Sequence, residues 1–331
     1  MNGHVPEMAG VLLQQAEKLP RAVAILLSPG SIFGVPQLGC ALTLAIGFLA
    51  WRHWRRRRRF SARLLWRVLA RSRKLLCHPS TGADAIYYII NTFAISSLIG
   101  WGLVSTDLMV THVVRGLNDL FGPRSALAVP AWGLRACITL VAFLAYEFGY
   151  YADHYMKHKI PFLWAFHQTH HSAEVLTPLT VFRVHPVDTL IFANIVALCI
   201  GVSCGVFIWA TGHPVTPYDL ASANIISVLG FFLLAQLQHS QFWMPLRGIW
   251  GRMLLSPAHH QLHHSLDPAH YNCNLGSFIG VWDWLFGTLY MPPKESPRLR
   301  FGLEQTASAP HRLPALLLSP FAAAWRAIWR G

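Results

Sequence analysis

His154-Tyr-Met-Lys-His158, His167-Gln-Thr-His170-His171 and His259-His260-Gln-Leu-His263-His264 are the stretches that decide how this 331-residue chain is read. The first has the form HxxxH, and the other two each contain HxxHH. Members at i, i+3 and i+4 share one face of a helix. With 18 histidines in 331 residues, random placement gives roughly 0.05 copies of HxxHH. The chain has two, which points to a metal site.

Long apolar segments surround these clusters. The composition is 53% hydrophobic and 12% charged, with a mean hydropathy of +0.38, too apolar for an ordinary soluble protein of this length. Five stretches approach the ~20 apolar residues that cross a bilayer: 31–51, 85–104, 131–152, 187–210 and 220–238. The expected fold is all-α: a multi-pass membrane helical bundle of about 4–5 spanning helices, with a cytosolic, histidine-rich helical cap holding a di-metal site. Residues 1–30 form an N-terminal segment expected to be retained and interfacial. Residues 31–130 carry the first spans, and their connection at 105–130 reads as a loop from its turn signals. Residues 131–290 form the catalytic domain, and 291–331 a tail with an amphipathic, interfacial helix.

The net charge of +13 is concentrated in the block 52–74, directly after the first span. That is where a cytoplasmic topogenic anchor sits, and aromatic residues are not interleaved there as a nucleic-acid stacking platform requires. No nucleic-acid partner is expected. With this block cytoplasmic, 85–104 runs outward and 131–152 runs back. The last two stretches form a hairpin, so every histidine cluster meets at the cytoplasmic face. Six cysteines without a CxxC pair give neither a disulfide framework nor a thiolate zinc site.

Imidazole suits zinc, copper, iron and nickel alike, so number decides more than ligand type. A catalytic zinc takes three protein ligands, whereas the strict motifs offer eight, enough for two ions with open positions. Soluble di-iron bundles use Glu and Glu-x-x-His ligands, and such repeated carboxylates are absent. Glu147, Asp153, Glu174 and Asp188 are instead expected to orient ligand imidazoles through their N–H groups. A membrane zinc hydrolase built on one HxxHH cluster is the alternative, but it leaves five or more histidines unexplained. A histidine-rich metal transporter is another, but it places its ligands near the bilayer midplane.

These boxes, together with Arg183-Val-His185-Pro186-Val-Asp188, Gln238-His239-Ser240, Asn274-Leu-Gly276 and Trp282-Asp283-Trp-Leu-Phe-Gly287-Thr288, resemble the fatty acid hydroxylase / sterol desaturase superfamily over about residues 135–290. The resemblance implies an integral membrane oxidoreductase with a non-haem di-iron centre on the cytoplasmic face, in a bacterial inner membrane rather than the endoplasmic reticulum. It uses O2 to hydroxylate or desaturate a lipid: sterol, fatty acyl, sphingoid or related. Iron supplies the O2 activation needed to attack an unactivated C–H bond, which no side chain can do. Carried over position by position, His154, His158, His167, His170, His171, His260, His263 and His264 are metal ligands and His239 a ninth. His185 and His259 either orient a ligand or cap the site. Electrons are expected from a separate cytochrome b5-like or ferredoxin-like protein. Phe143, Tyr146, Tyr150, Phe231 and Phe232 are expected to line the lipid's passage from the bilayer.

Overall fold

The computed structural model describes residues 35–55, 66, 73–95, 104–220, 223–304 and 311–330. The N-terminal segment 1–30 and most of the basic block 52–74 lie outside them. The described chain is predominantly helical, and its single ladder is a two-residue antiparallel pairing of β1 (Asp219–Leu220) with β2 (Ala223–Asn224). In order, the principal helices are α1 (Val35–Arg55), α2 (Pro79–Ile89), α3 (Thr106–Phe121), α4 (Ala131–Lys159), α5 (Pro161–His171), α6 (Pro186–Thr211), α7 (Ile225–Gln238), α8 (Gly248–Met253), α9 (Pro257–His263), α10 (Val281–Leu285) and α11 (Leu313–Arg330).

Among the described residues, α4 and α6 are long and apolar enough to cross a membrane, at 29 and 26 residues. They pack against each other, and Gly149 lets them do so closely: a Cβ there would stand 3.1 Å from Val196 Cα. The expected stretch 31–51 falls largely on α1. Only the start of 85–104 is described, as the end of α2 and a π-helical turn, Ile90–Ile95. The stretch 220–238 yields α7, which is shorter than the two long helices and interrupted by a π-helical turn at Phe231–Ala235.

The connection 105–130 is not simply a loop. Ser105 caps α3 by accepting the Leu108 N–H at 3.3 Å, and the helix stops at Gly122, whose φ of 78° suits glycine. Its apolar residues Met109, Val110 and Val113 interleave with Asp107, His112 and Arg115, a helical pattern partly obscured by the turn residues beyond it. α3 lies on α6 through Gly201 and Gly205, where added Cβ atoms would meet Met109 at 2.6 Å and Val113 at 2.7 Å. This is the small-xxx-small packing by which apolar helices approach closely.

The arrangement gathers the chemistry at one end of the α4–α6 pair. α4 ends there in Lys157, His158 and Lys159, and the two lysines are cations that suit a helix C-terminus. Pro161 then starts α5 at a sharp turn. α6 begins at the same end, capped by His185, whose Nδ1 accepts the Val187 N–H at 3.2 Å. α7 delivers Gln238 and His239 to it, and α9 carries the third box. α11 packs along α5, where Ala324 meets Ala165 and Phe166.

Candidate metal centre

Nine imidazoles converge here in two groups: His154, His158, His167, His171 and His263, and then His170, His239, His260 and His264. Within each group, one nitrogen per ring lies within 4.8 Å of the others. The groups abut, with the His171 ring stacked on His264 at a centroid distance of 4.5 Å. Each HxxHH box is therefore split between the two groups. His167 and His171 enter the first and His170 the second, while His260 and His264 enter the second and His263 the first.

The first group fits a cation. All five Nε2 atoms are buried and make no hydrogen bond, a costly state for a lone pair that has no ligand. The other ring nitrogens hold the rings in that pose. His154 Nδ1 donates to Leu275 O at 2.7 Å, His263 Nδ1 to Cys273 O at 2.8 Å, and His167 Nδ1 to Asp188 Oδ2 at 2.8 Å. His158 hydrogen-bonds the Asn272 side chain. Orienting the rings through their outer N–H groups fixes the tautomer and leaves Nε2 free to ligate.

In the second group, His239 Nε2 stands 3.2 Å from His170 Nε2 and 2.9 Å from His260 Nε2, and His264 Nε2 is 3.1 Å from His260 Nε2. A ring nitrogen carries one proton or one lone pair. Three contacts threaded through four such nitrogens are poorly served by hydrogen bonds and well served by a single cation taking all four lone pairs. Burial pushes His239 and His263 down to about 3, and it holds His170, His171, His260 and His264 well below the ordinary histidine range, helped by neighbouring imidazoles. The rings are neutral at physiological pH, the form that ligates metal.

The supporting residues differ from expectation. Of the four carboxylates, Asp188 alone bonds an imidazole of the two groups. It also pairs with Lys157, which reaches Asp153 Oδ2 at 2.5 Å, so Asp153 is one link further from the ring. Glu147 reaches no imidazole: its Oε2 accepts the N–H groups of Phe278 and Ile279 at 3.0 and 2.9 Å. Glu174 faces His311, 3.2 Å away. Phe143, Tyr146 and Phe231 interlock with Ala235 and Phe278 as core, and Tyr150 packs edge-on against His154.

Asn272 and Cys273 escaped the sequence reading, and Leu275 entered it only as part of the closing pattern, with no role assigned. They form a strap over the first group. Asn272 and Asn274 adopt left-handed φ values of 58° and 53°, which asparagine tolerates better than most residues. Asn274 pins the strap to His259 O and Tyr290 O, both at 3.0 Å, while Asp283 accepts the N–H groups of Leu275 and Gly276 at 2.7 and 2.8 Å. The closing pattern around Asn274 and Asp283 thus builds the scaffold for three imidazoles.

His185 and His259 join neither group. His259 Nδ1 lies 2.8 Å from Ser256 Oγ in a capping box that starts α9. His185 Nε2 donates to Leu317 O at 3.1 Å, in the stretch of α11 loosened by Pro320. His185→Ala should therefore leave metal content unchanged and destabilise the α5–α11 contact by about 1 kcal/mol. Metal analysis and limited proteolysis of the tail check this, and a fall in bound metal would move His185 into the ligand set.

Residues 139–288 match the fatty acid hydroxylase family. The chain is 29% identical over 168 residues to alkylglycerol monooxygenase of Xenopus tropicalis, covering 49% of this chain and 32% of that protein. Ornithine lipid hydroxylase OlsE of Rhizobium tropici is 31% identical over 153 residues, with coverages of 45% and 41%. Cholesterol 25-hydroxylase of Rattus norvegicus is 28% identical over 175 residues, covering half of each chain, 50% and 50%. The match thus spans 32% to 50% of the length of these relatives. No solved structure matches the chain significantly.

Proposed function

Because the chain belongs to the fatty acid hydroxylase / sterol desaturase superfamily, we propose that it is an integral membrane, O2-dependent lipid hydroxylase or desaturase whose two histidine groups each hold one iron. The observation that carries this reading is the convergence of nine imidazoles, five of them with unpartnered Nε2 atoms. Two adjacent metal sites suit O2 chemistry better than the single three-ligand site of a zinc hydrolase. Once bound, the iron pair supplies the oxidising power that a C–H bond demands.

The protein's own residues do the rest. His154, His158, His167, His171 and His263 hold one ion, and His170, His239, His260 and His264 the other. The Asp153–Lys157–Asp188 chain fixes His167, and the 272–275 strap fixes His154, His158 and His263. Burial shields eight of the nine rings from bulk water, with His158 half-buried. Lipid reaches the centre at the cytoplasmic end of α4 and α6, and a separate electron-transfer protein docks on that side. Purified protein from iron-replete cells should contain about two irons per chain, and lipids of expressing cells should gain one oxygen or lose two hydrogens. Stoichiometric zinc without iron would overturn the assignment.

A further inference from the structure

A cavity of about 530 Å³ opens onto the centre, with His158, His171, His263 and His264 at its floor. One wall is a single stripe of α5: Pro161, Trp164, Gln168 and His171 recur at helical spacing. The cavity therefore runs beside α5 from the end of the α4 membrane helix, where the Trp164 ring stands 5.1 Å from that of His158 and 5.2 Å from that of His171. Its middle is apolar, with Trp164, Leu266 and Leu303. Its rim is polar and carries both signs of charge.

The positive charge is Lys159, exposed in the last turn of α4, where a membrane-helix lysine sits at headgroup level. The negative charge is Glu304, whose Oε1 accepts the Tyr271 hydroxyl at 2.8 Å and is thereby held in place. Among the described residues, neither charge belongs to an ion pair, and both line the cavity. A purely anionic headgroup meets repulsion from Glu304, and a neutral one uses neither charge. A headgroup with one cation and one anion satisfies both through charge-assisted hydrogen bonds.

We propose that this rim, through Lys159 and Glu304, binds the headgroup of a zwitterionic lipid. The lipid's chain follows the α5 stripe to the imidazoles, so that oxidation falls in the half of the chain nearer the headgroup. The inference rests on the proposed oxidoreductase function for its second clause only, because headgroup binding is measurable without turnover.

The test compares full-length protein with Lys159→Gln and Glu304→Gln, using fluorescent lysophosphatidylethanolamine and a monoacylglycerol of the same chain in detergent. Both substitutions are at exposed positions, so metal content should be the same in all three proteins. Wild type should prefer the zwitterionic probe by about tenfold, the effect of one charge-assisted contact, and each variant should lose most of that preference. Fragmentation of an oxidised product should place the new oxygen or double bond in the headgroup-proximal half. Equal affinity of wild type for both probes, an unchanged preference in the variants, or oxidation at the far end of the chain overturns the proposal. Headgroup preference without any lipid oxidation would leave the binding site standing and refute the oxidoreductase reading instead.

Discussion

His263→Ala and His170→Ala should each abolish lipid oxidation, because the two residues stand in different groups of the centre and each group is complete only with its full set of rings. Each variant should lose the ion of its own group first, so bound iron falls to about half before activity disappears. The size of the effect follows from comparison with an indirect change. Removing a residue that merely orients a ligand lowers metal affinity or activity ~10–100-fold, and Asp188→Asn, next to His167, belongs in that range. Loss of the ligand itself should exceed it. The measurements are iron per chain by elemental analysis and product by mass spectrometry. A His263→Ala protein that keeps both irons and full turnover would remove His263 from the centre, and with it the reason for the Cys273 contact.

The largest stability effect should come from Asp84→Ala. Asp84 and Arg183 are both fully buried and paired, Nε to Oδ1, at 2.6 Å. The guanidinium also donates to Ser80 O and to Ser172 Oγ, the latter at 3.0 Å, and Thr180 Oγ1 donates to Asp84 Oδ2 at 2.7 Å. Deleting the carboxylate strands a buried cation, a change that typically costs ~3–5 kcal/mol. Thermal unfolding in detergent should show it. The double replacement Asp84→Leu/Arg183→Leu should recover part of the loss, since an apolar pair carries no desolvation penalty. A loss below ~1 kcal/mol would mean that the pair is relieved by water. Asp84 lies on α2, upstream of the matched residues 139–288, and Ser172 follows His171 directly. The pair therefore ties the N-terminal part of the chain to the second histidine box.

The histidines were legible because their chemistry is in the side chain and their spacing matches a helix. Placing them at the ends of α4 and α7 and along α5 and α9 followed from span boundaries that hydropathy marks well. The division of each HxxHH box between the two groups was not legible, since residues three and four apart share a helix face and the partner helices decide which neighbour each ring meets. Backbone carbonyls were equally hidden: the oxygens of Cys273 and Leu275 orient two rings, and nothing about a cysteine or a leucine announces it. Glu147 was misread for a related reason. A buried carboxylate about two turns before a histidine box looks like a ring partner, but its helix face points to the N–H groups of 278–279. His185 begins α6 beside Pro186, and its contact with Leu317 joins positions far apart in sequence, a pairing that no local pattern encodes.

The strap at 272–275 has a consequence for how this part of the molecule tolerates change. Two of its three ring contacts use main-chain oxygens, which every amino acid possesses. Side chains at 273 and 275 can be exchanged for others of similar volume without erasing either contact, so a survey of point substitutions would underrate both positions. Register is the sensitive quantity. A one-residue insertion or deletion in this short stretch would shift both oxygens together and turn His154 and His263 at once, leaving the composition of the histidine boxes intact and the centre disassembled.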